Sequence, residues 1–502
     1  MMKILPPILL ALATTASWAQ EASVPYTPSA SVRHHLQVLA DQAGLRLPVT
    51  HWPQPLSAVE QALRQLPATA DWAAAREAVW REVRQKQNQP QLSLHVRGHD
   101  DGLVGFDENY TPGSSVMLKT DEGRWGTGDV TAALKLGGRV EQNSNSLLAQ
   151  SSGSGLDGAM QVRPDDSAAV LGLWGWNVQA FAHRNWWGPG WQSSLVNGHN
   201  APPWMGVGLQ RGSSAPSSSK WLSWMGPWTL DVFVAKAQDP VVTTGQASGY
   251  LFSGVRLTMK PTDWLEVGLS RGLQTGGAGR PGGLQNFVKA FLGQETNKDP
   301  NSPFEDSSNQ LAGYDVRLRC PQLLGACAFY GQMMGEDSAG KALPLPYRFM
   351  HLVGFEQVLA EGGHRVFVEY ADTNVPQLDN KSAVEPAYLN GYYRQGYTNG
   401  ARWIGSAQGG GSRVATLGWL DAHRNMLIKV HRGTVGLSVG AYDPDVNAPK
   451  GTLTGLSARR TFDMYRWRLT PELSIMQLSA GQDVGVNKRT NVRLGMEIQI
   501  FL

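Results

Sequence analysis

The stretch Val492-Arg493-Leu494-Gly495-Met496-Glu497-Ile498-Gln499-Ile500-Phe501-Leu502 alternates without a break. Val492, Leu494, Met496, Ile498, Ile500 and Leu502 share one face, and Arg493, Gly495, Glu497, Gln499 and Phe501 share the other. Successive side chains of a β-strand point to opposite sides, so this strand separates an apolar from a polar environment. Its length matches a tilted strand that crosses a bilayer, which takes about 9–11 residues.

The same period recurs upstream. Leu134, Leu136 and Val140 alternate with Lys135, Gly137 and Arg139; Leu265, Val267 and Leu269 with Glu266, Gly268 and Ser270. Tyr314, Val316 and Leu318 alternate with Asp315, Arg317 and Arg319; Val366, Val368 and Tyr370 with Arg365, Phe367 and Glu369. A soluble sandwich would turn the charged face to bulk water, whereas a wide barrel turns it into a polar lumen. Composition favours the barrel. Only 17% of residues are charged, while 57 glycines and 18 tryptophans suit tight turns and two interfacial aromatic girdles. Past the N-terminal segment no run of about 18 apolar residues occurs, which excludes helical spans. The expected fold is therefore mainly β: a transmembrane outer-membrane β-barrel over 91–502 with about 16–18 antiparallel strands.

The N-terminal segment points to export. Lys3, the apolar run Ile4 to Ala13 and the small-x-small Ser17-Trp18-Ala19 read as a signal peptide over 1–19, leaving Gln20 at the mature start. Residues 20–90 read as a small α-helical region on the periplasmic side. Val32, Leu36, Leu39, Ala40 and Ala43 recur at helical spacing up to Gly44. Ser57-Ala58-Val59-Glu60 has the form of a capping box, and Trp72, Ala75, Val79, Trp80 and Val83 make a third stripe. The Gln/Asn-rich Gln85 to Gln91 marks the boundary.

Cys320 and Cys327 flank a Pro/Gly-containing turn between strand-like runs, a spacing that favours a structural disulfide in an exported protein. Two stretches are too long for tight turns, Gly276 to Ser308 and Asn374 to Gly411. They read as extracellular loops or as segments folded into the lumen. A formal charge of +3 with no long basic run leaves nucleic acid out as a partner.

Two clusters carry candidate binding chemistry. The first is His183-Arg184-Asn185-Trp186-Trp187-Gly188-Pro189-Gly190-Trp191, followed by Ser193, Ser194, Asn197, Asn200 and Pro202-Pro203-Trp204. Saccharides are held by flat apolar faces against their C–H surfaces and by planar donors and acceptors for their hydroxyls, with arginine where the sugar is acidic. Arg184, Asn185, Trp186, Trp187 and Asn200 supply that mixture. An aromatic girdle beside a Gly-Pro-Gly turn would have the same composition. The second cluster runs from Tyr388 through Tyr392, Tyr393, Arg394, Tyr397, Arg402 and Trp403 to Gly411. It suits a polysaccharide equally with a self-packed loop that plugs the lumen.

Arg184 through Gly190 with Ser193-Ser194-Leu195, Ala201-Pro202-Pro203, and Gly396-Tyr397 through Arg402 to Ile404-Gly405 together resemble the capsule assembly Wzi family. The resemblance extends to the order of parts: signal peptide, short helical region, then strands. It implies an outer-membrane barrel with a periplasmic helical bundle and an occluded lumen. It also implies a lectin-like role in attaching capsular polysaccharide or exopolysaccharide to the cell surface, with no cofactor. Lipid and lipopolysaccharide would surround such a barrel, and a monomer suffices to close it.

Catalytic readings find little support. No G-x-S-x-G, H-E-x-x-H or phosphate-cradling glycine loop stands on a strand–helix junction. His34 and His35 are adjacent on a helix and point to different faces. Asp443, Asp445 and Asn447 begin like a calcium loop, but Ala448 and Thr454 stand where its glycine and glutamate belong. Asp165-Asp166 and Glu305-Asp306 read as solvated loop carboxylates. The expected function is polysaccharide binding rather than enzymatic. The competing expectation is a porin or substrate-specific channel whose path is lined by Lys135, Arg317, Arg319 and Glu369.

Overall fold

The computed structural model describes residues 21–67, 70–97, 102–110, 113–142, 160–238, 249–277, 280–292, 308–321, 325–338, 346–359, 362–377, 384–390, 393, 396–400, 402–436, 450–480 and 489–502. The segment read as a signal peptide lies outside them, as do Glu305-Asp306 and the calcium-like stretch from Asp443 to Asn447.

Alternation along each strand is resolved into an inside and an outside by one antiparallel sheet of 22 strand segments. Four of these continue a neighbour across a short irregularity. Ser115–Lys119 runs on into Gly123–Thr127, Val130–Lys135 into Gly137–Gln142, Met160–Arg163 into Ala168–Leu173, and Lys450–Arg460 into Phe462–Met464. Counted this way, the described residues form eighteen strands, each paired with its two neighbours in sequence. The ring closes where Arg489–Phe501 pairs with Gln91–Arg97, in register Gly495↔Arg97 and Phe501↔Gln91. Closure leaves no unpaired edge, the condition for a sheet to stand in hydrocarbon. Among the described residues no helix is long and apolar enough to cross a membrane.

The terminal strand behaves as its pattern dictates. Val492 and Leu494 are 62% and 68% exposed on the outer wall, while Arg493 between them is 9% exposed and points inward. Val96, Leu118, Val207, Val353 and Leu417 repeat the outward exposure around the circumference. A continuous apolar belt of this kind is rare on a protein surrounded by water and is what a lipid-facing wall requires.

An even strand number brings both ends of the barrel to one rim, where the Leu502 N–H donates to the Pro90 carbonyl at 2.9 Å. Short turns collect at this rim, among them those between Leu173 and Trp176, Thr262 and Leu265, and Met464 and Trp467. The long connections lie at the other rim. Short turns mark the periplasmic end of such barrels and long loops the external end. Trp125, Trp174, Trp264, Tyr465 and Trp467 stand exposed near the periplasmic turns as an interfacial collar. There the connection 212–227 folds over the outside of the wall. It buries Trp228 with Met225 and Met259, and leaves Trp221 and Trp224 exposed. The Cys320–Cys327 disulfide, with a Cα–Cα distance of 5.2 Å, lies at this rim between Ser308–Arg319 and Cys327–Ser338.

Three helices precede the barrel: α1 (Ala30–Gln42), α2 (Leu56–Gln65) and α3 (Ala73–Asn88). Ser29 caps α1 by accepting from the Val32 N–H. Nearly every residue of α1 is buried, including Arg33, His34 and Gln37, so this helix sits inside the barrel mouth. One expectation is corrected. Helix α2 begins at Leu56 after Pro55, whose φ of −56° presets the first turn, and the Ser57 hydroxyl is taken by Ser23 at 2.9 Å instead of closing a capping box. Helix α3 runs on through Gln85 to Asn88, because glutamine, lysine and arginine are good helix formers, and the first barrel strand starts at Gln91, so the break at Gln89-Pro90 falls within the boundary stretch. One further short helix, α4 (Leu284–Phe291), lies in the external connection after the strand Leu265–Thr275.

Candidate functional site

The connection 184–203 leaves the external rim and descends into the lumen. Its Trp186–Trp187 pairs as a two-residue strand with His51–Trp52, which rises from the N-terminal region. The external connection and the N-terminal region thus meet inside the barrel. Polar groups on the inner wall hold the descending loop where water would otherwise stand. Glu369 accepts from three backbone N–H groups in a row, Trp191 at 2.7 Å, Gln192 at 3.3 Å and Ser193 at 2.6 Å. Gln332 accepts from the Leu195 N–H and donates to the Trp187 carbonyl. Glu356 accepts from the Trp191 indole at 2.6 Å and is itself held by Arg317 and Arg365. Arg317 also reaches Asp41 of α1 at 2.6 Å.

The tip of the loop rests on α1. Arg33 donates to the carbonyls of Pro189 at 2.8 Å and Gly190 at 2.9 Å, with its guanidinium 4.3 Å from the ring centres of Phe106 and Trp191. Burial lowers its pKa to about 9, which still leaves the cation charged at neutral pH. Deeper in the barrel, Glu266 accepts from the backbone of Val49 and Thr50, and Arg256 binds both Asp315 and the Thr50 carbonyl. Buried charges are tolerated here because each has a partner of fixed geometry.

The second motif closes the stack from the external side. The Tyr388 hydroxyl donates to the Leu195 carbonyl at 2.8 Å and the Tyr397 hydroxyl to Val196 at 3.0 Å. Asn200 donates to the Trp403 carbonyl, and Arg402 returns two bonds to Asn200. Tyr388 and Tyr397 stack 5.7 Å apart, and Phe252 stacks on Trp204 at 4.5 Å. Glycine is needed beneath them: a Cβ at Gly272 would lie 2.0 Å from the Tyr397 hydroxyl.

The structure therefore brings the two sequence clusters together as one plug, through contacts that span 193 residues of chain between Leu195 and Tyr388 and 203 between Asn200 and Trp403. Asn185, Trp186, Trp187 and Tyr397 are at most 1% exposed; Tyr393, Asn200, Arg402 and Trp403 are also buried. Arg184 is half-buried and donates to the carbonyls of Glu108 and His199. Tyr393 donates to the Gly276 carbonyl, and the Asn185 carboxamide finds no partner among the described residues. Tyr392 and Arg394 lie outside the described residues. Trp186 and Trp187 are core residues, and the girdle is built from other tryptophans.

Other expectations change as well. Arg317 and Glu369 are bonded to protein and do not line a water path; Arg319 donates to the Asp41 carbonyl. Asp165 is 1% exposed and binds Arg139 and Arg163, so it is not a solvated loop carboxylate. Sequence reading missed Arg33, Gln332, Glu356 and Glu266 as plug anchors. Their signal was position, since the strand residues among them fall on the inward parity.

Among known proteins, the family model described as capsule assembly protein Wzi matches residues 85–491. A Klebsiella pneumoniae protein, described as an uncharacterized 55.8 kDa protein in the cps region, is 28% identical over 351 residues. That match covers 68% of this chain and 64% of the relative, a little under two thirds of its length. The solved Escherichia coli outer-membrane protein Wzi, described as a carbohydrate-binding β-barrel involved in group 1 capsule assembly, superposes with a TM-score of 0.74. It is 22% identical, and the superposition covers 96% of this chain and 100% of that one.

Proposed function

This chain belongs to the capsule assembly Wzi family, and from that premise we propose that it is an outer-membrane barrel that binds an exported polysaccharide and anchors it at the cell surface. The observation that carries the reading is a lipid-faced cylinder filled from both rims by its own chain. Such a body has no use as a conduit, and its external loops become the working face. The buried members of the two motifs, Trp186, Trp187, Asn185, Asn200 and Tyr397, fix the shape of that face from beneath. The loops above them meet the polymer by many weak contacts, which multivalency turns into firm attachment. Its partners are capsular polysaccharide or exopolysaccharide, with membrane lipid on the apolar belt and lipopolysaccharide in the outer leaflet. One copy completes the sheet, so the working unit is a monomer. Its role is binding, without a chemical step.

Planar-bilayer recording of the purified protein, paired with polymer pull-down, tests the reading. Expected are a silent bilayer and retained polymer. Steady conductance through the wild-type protein, with no polymer bound, would overturn it. Cells carrying Trp186→Ala or Tyr397→Ala keep a folded barrel and shed polymer into the medium.

A further inference from the structure

The filling leaves a space at the periplasmic mouth. Between α3 and the inner wall formed by Gln91–Arg97, Trp467–Ala480 and Arg489–Phe501 lies a cavity of about 510 Å³. It opens at the periplasmic rim, where Arg81, Gln89 and Asp463 are exposed, and it ends blindly on Tyr110, Arg184 and His199 beside the plug. Its size lies in the range of small-ligand sites, about 300–1,000 Å³.

The lining is unlike a packing defect. Gln85, Gln89, Gln91 and Gln499 bring planar amide donors and acceptors to it, whereas the rings of Tyr26 and Phe501 are already covered by Lys86 and Arg468. Apolar voids have no such polar groups.

Arg81 is exposed at the rim; among the lining cations set back from solvent, one position stands apart. Lys119 is paired with Asp166, Arg139 with Asp165, Arg459 with Asp107 and Arg468 with Asp463. Lys86 binds Glu82 at 3.4 Å and the Thr27 carbonyl. Lys135 differs. It lines the cavity half-buried, and among the described residues its ammonium makes no hydrogen bond and no ion pair. Lys119 and Lys86 act on its charge, and so do the carboxylates Asp166 and Glu122, which are themselves bound by Lys119 and Arg124. A partly desolvated cation whose neighbouring carboxylates are taken by other cations is stabilised by an incoming anion, through a charge-assisted bond stronger than any it makes to water.

We propose that this cavity is a second, periplasm-facing saccharide site for an acidic sugar, with the sugar carboxylate on Lys135 and the hydroxyls on the glutamines. The site rests on the polysaccharide reading above and adds a specificity for carboxylate-bearing units that the plug residues do not supply.

The full-length protein in detergent is titrated calorimetrically with tetragalacturonate, with maltotetraose and with inorganic phosphate. Tetragalacturonate binds and the neutral sugar binds at least about tenfold more weakly, the loss of one charge-assisted contact. Lys135→Met reduces tetragalacturonate affinity by a similar factor, and Lys135→Arg keeps most of it. Heat-modified gel migration verifies that both variants are folded barrels. Equal affinity for the two oligosaccharides, or an unchanged Lys135→Met, overturns the site. Phosphate that displaces tetragalacturonate at equal concentration reduces it to a simple anion site and overturns the saccharide assignment. Wild-type protein that captures polymer on cells but binds no oligosaccharide here sinks the cavity and leaves the surface-anchoring function standing.

Discussion

The wall and the plug use the same residue types under opposite rules. On the wall each side chain has one job, decided by parity: Leu494 meets lipid, and Arg493 beside it turns inward. In the plug no residue's role can be read from its neighbours in sequence. Trp186 is buried because Phe106 and His199 come from elsewhere to enclose it, and Trp191 is placed by Glu356 and Glu369 from two different strands. Local order suffices for a cylinder, whereas a stopper is assembled by long-range pairing.

The strongest way to break this distinction is at the junction between the two. Glu356→Ala leaves Arg317 and Arg365 buried without their shared carboxylate and frees the Trp191 indole. Losing one partner of a buried ion pair costs about 3–5 kcal/mol. Urea unfolding from lipid vesicles should show that loss, together with new ion conductance. A variant with wild-type stability would mean that the wall does not depend on the plug.

Trp186→Ala separates the two regions. It removes a fully buried indole at a cost of about 3–5 kcal/mol, spent on plug docking and not on strand pairing. Limited proteolysis should cut the connection 184–203 while the barrel keeps its heat-modifiable migration. Unaltered protection of that connection would argue that the plug is held by its backbone alone. The converse experiment is Leu494→Arg. It sets a cation on the lipid face at about 2–4 kcal/mol and slows folding into bilayers, leaving plug protection unchanged.

The mildest probe is acid. Burial lowers the His35 pKa to about 4, against an ordinary value near 6.5, and His34 and His199 shift in the same direction. Between those values the unfolded chain takes up a proton that the folded imidazole refuses. Stability from the neutral histidines is therefore full above about pH 6.5 and is lost as pH falls toward about 4. Hydrogen exchange in α1 should rise over that window. Exchange that stays flat would mean that these histidines do not govern docking at the mouth.

Much of the wall was legible. Alternation at Val492–Leu502 and four upstream segments indicated a lipid-facing and a lumenal face, and the eighteen strands of the described residues lie within the expected range. Helical spacing at Val32, Leu36 and Leu39 located α1, and the Cys320–Cys327 spacing indicated a bridged turn. The plug was legible as composition only. Flat aromatic faces with amides and arginines are what a sugar needs, and also what a loop needs when it must bury its backbone inside a polar tube. Burial distinguishes the two uses, and burial is a property of contacts such as Arg33 with Gly190 or Asn200 with Trp403, which span most of the fold. Lys135 illustrates the remainder: its inward parity was visible, but the empty space beside it was not.

The seam between Gln91–Arg97 and Arg489–Phe501 joins the first strand made to the last. Between their syntheses the ribosome produces every other stave and both halves of the stopper. Inside that seam His51–Trp52, made before the first stave, joins Trp186–Trp187, made well after it. The stopper therefore ties together pieces of chain from both sides of the first stave, and it can be complete only when staves on both sides of it are in place.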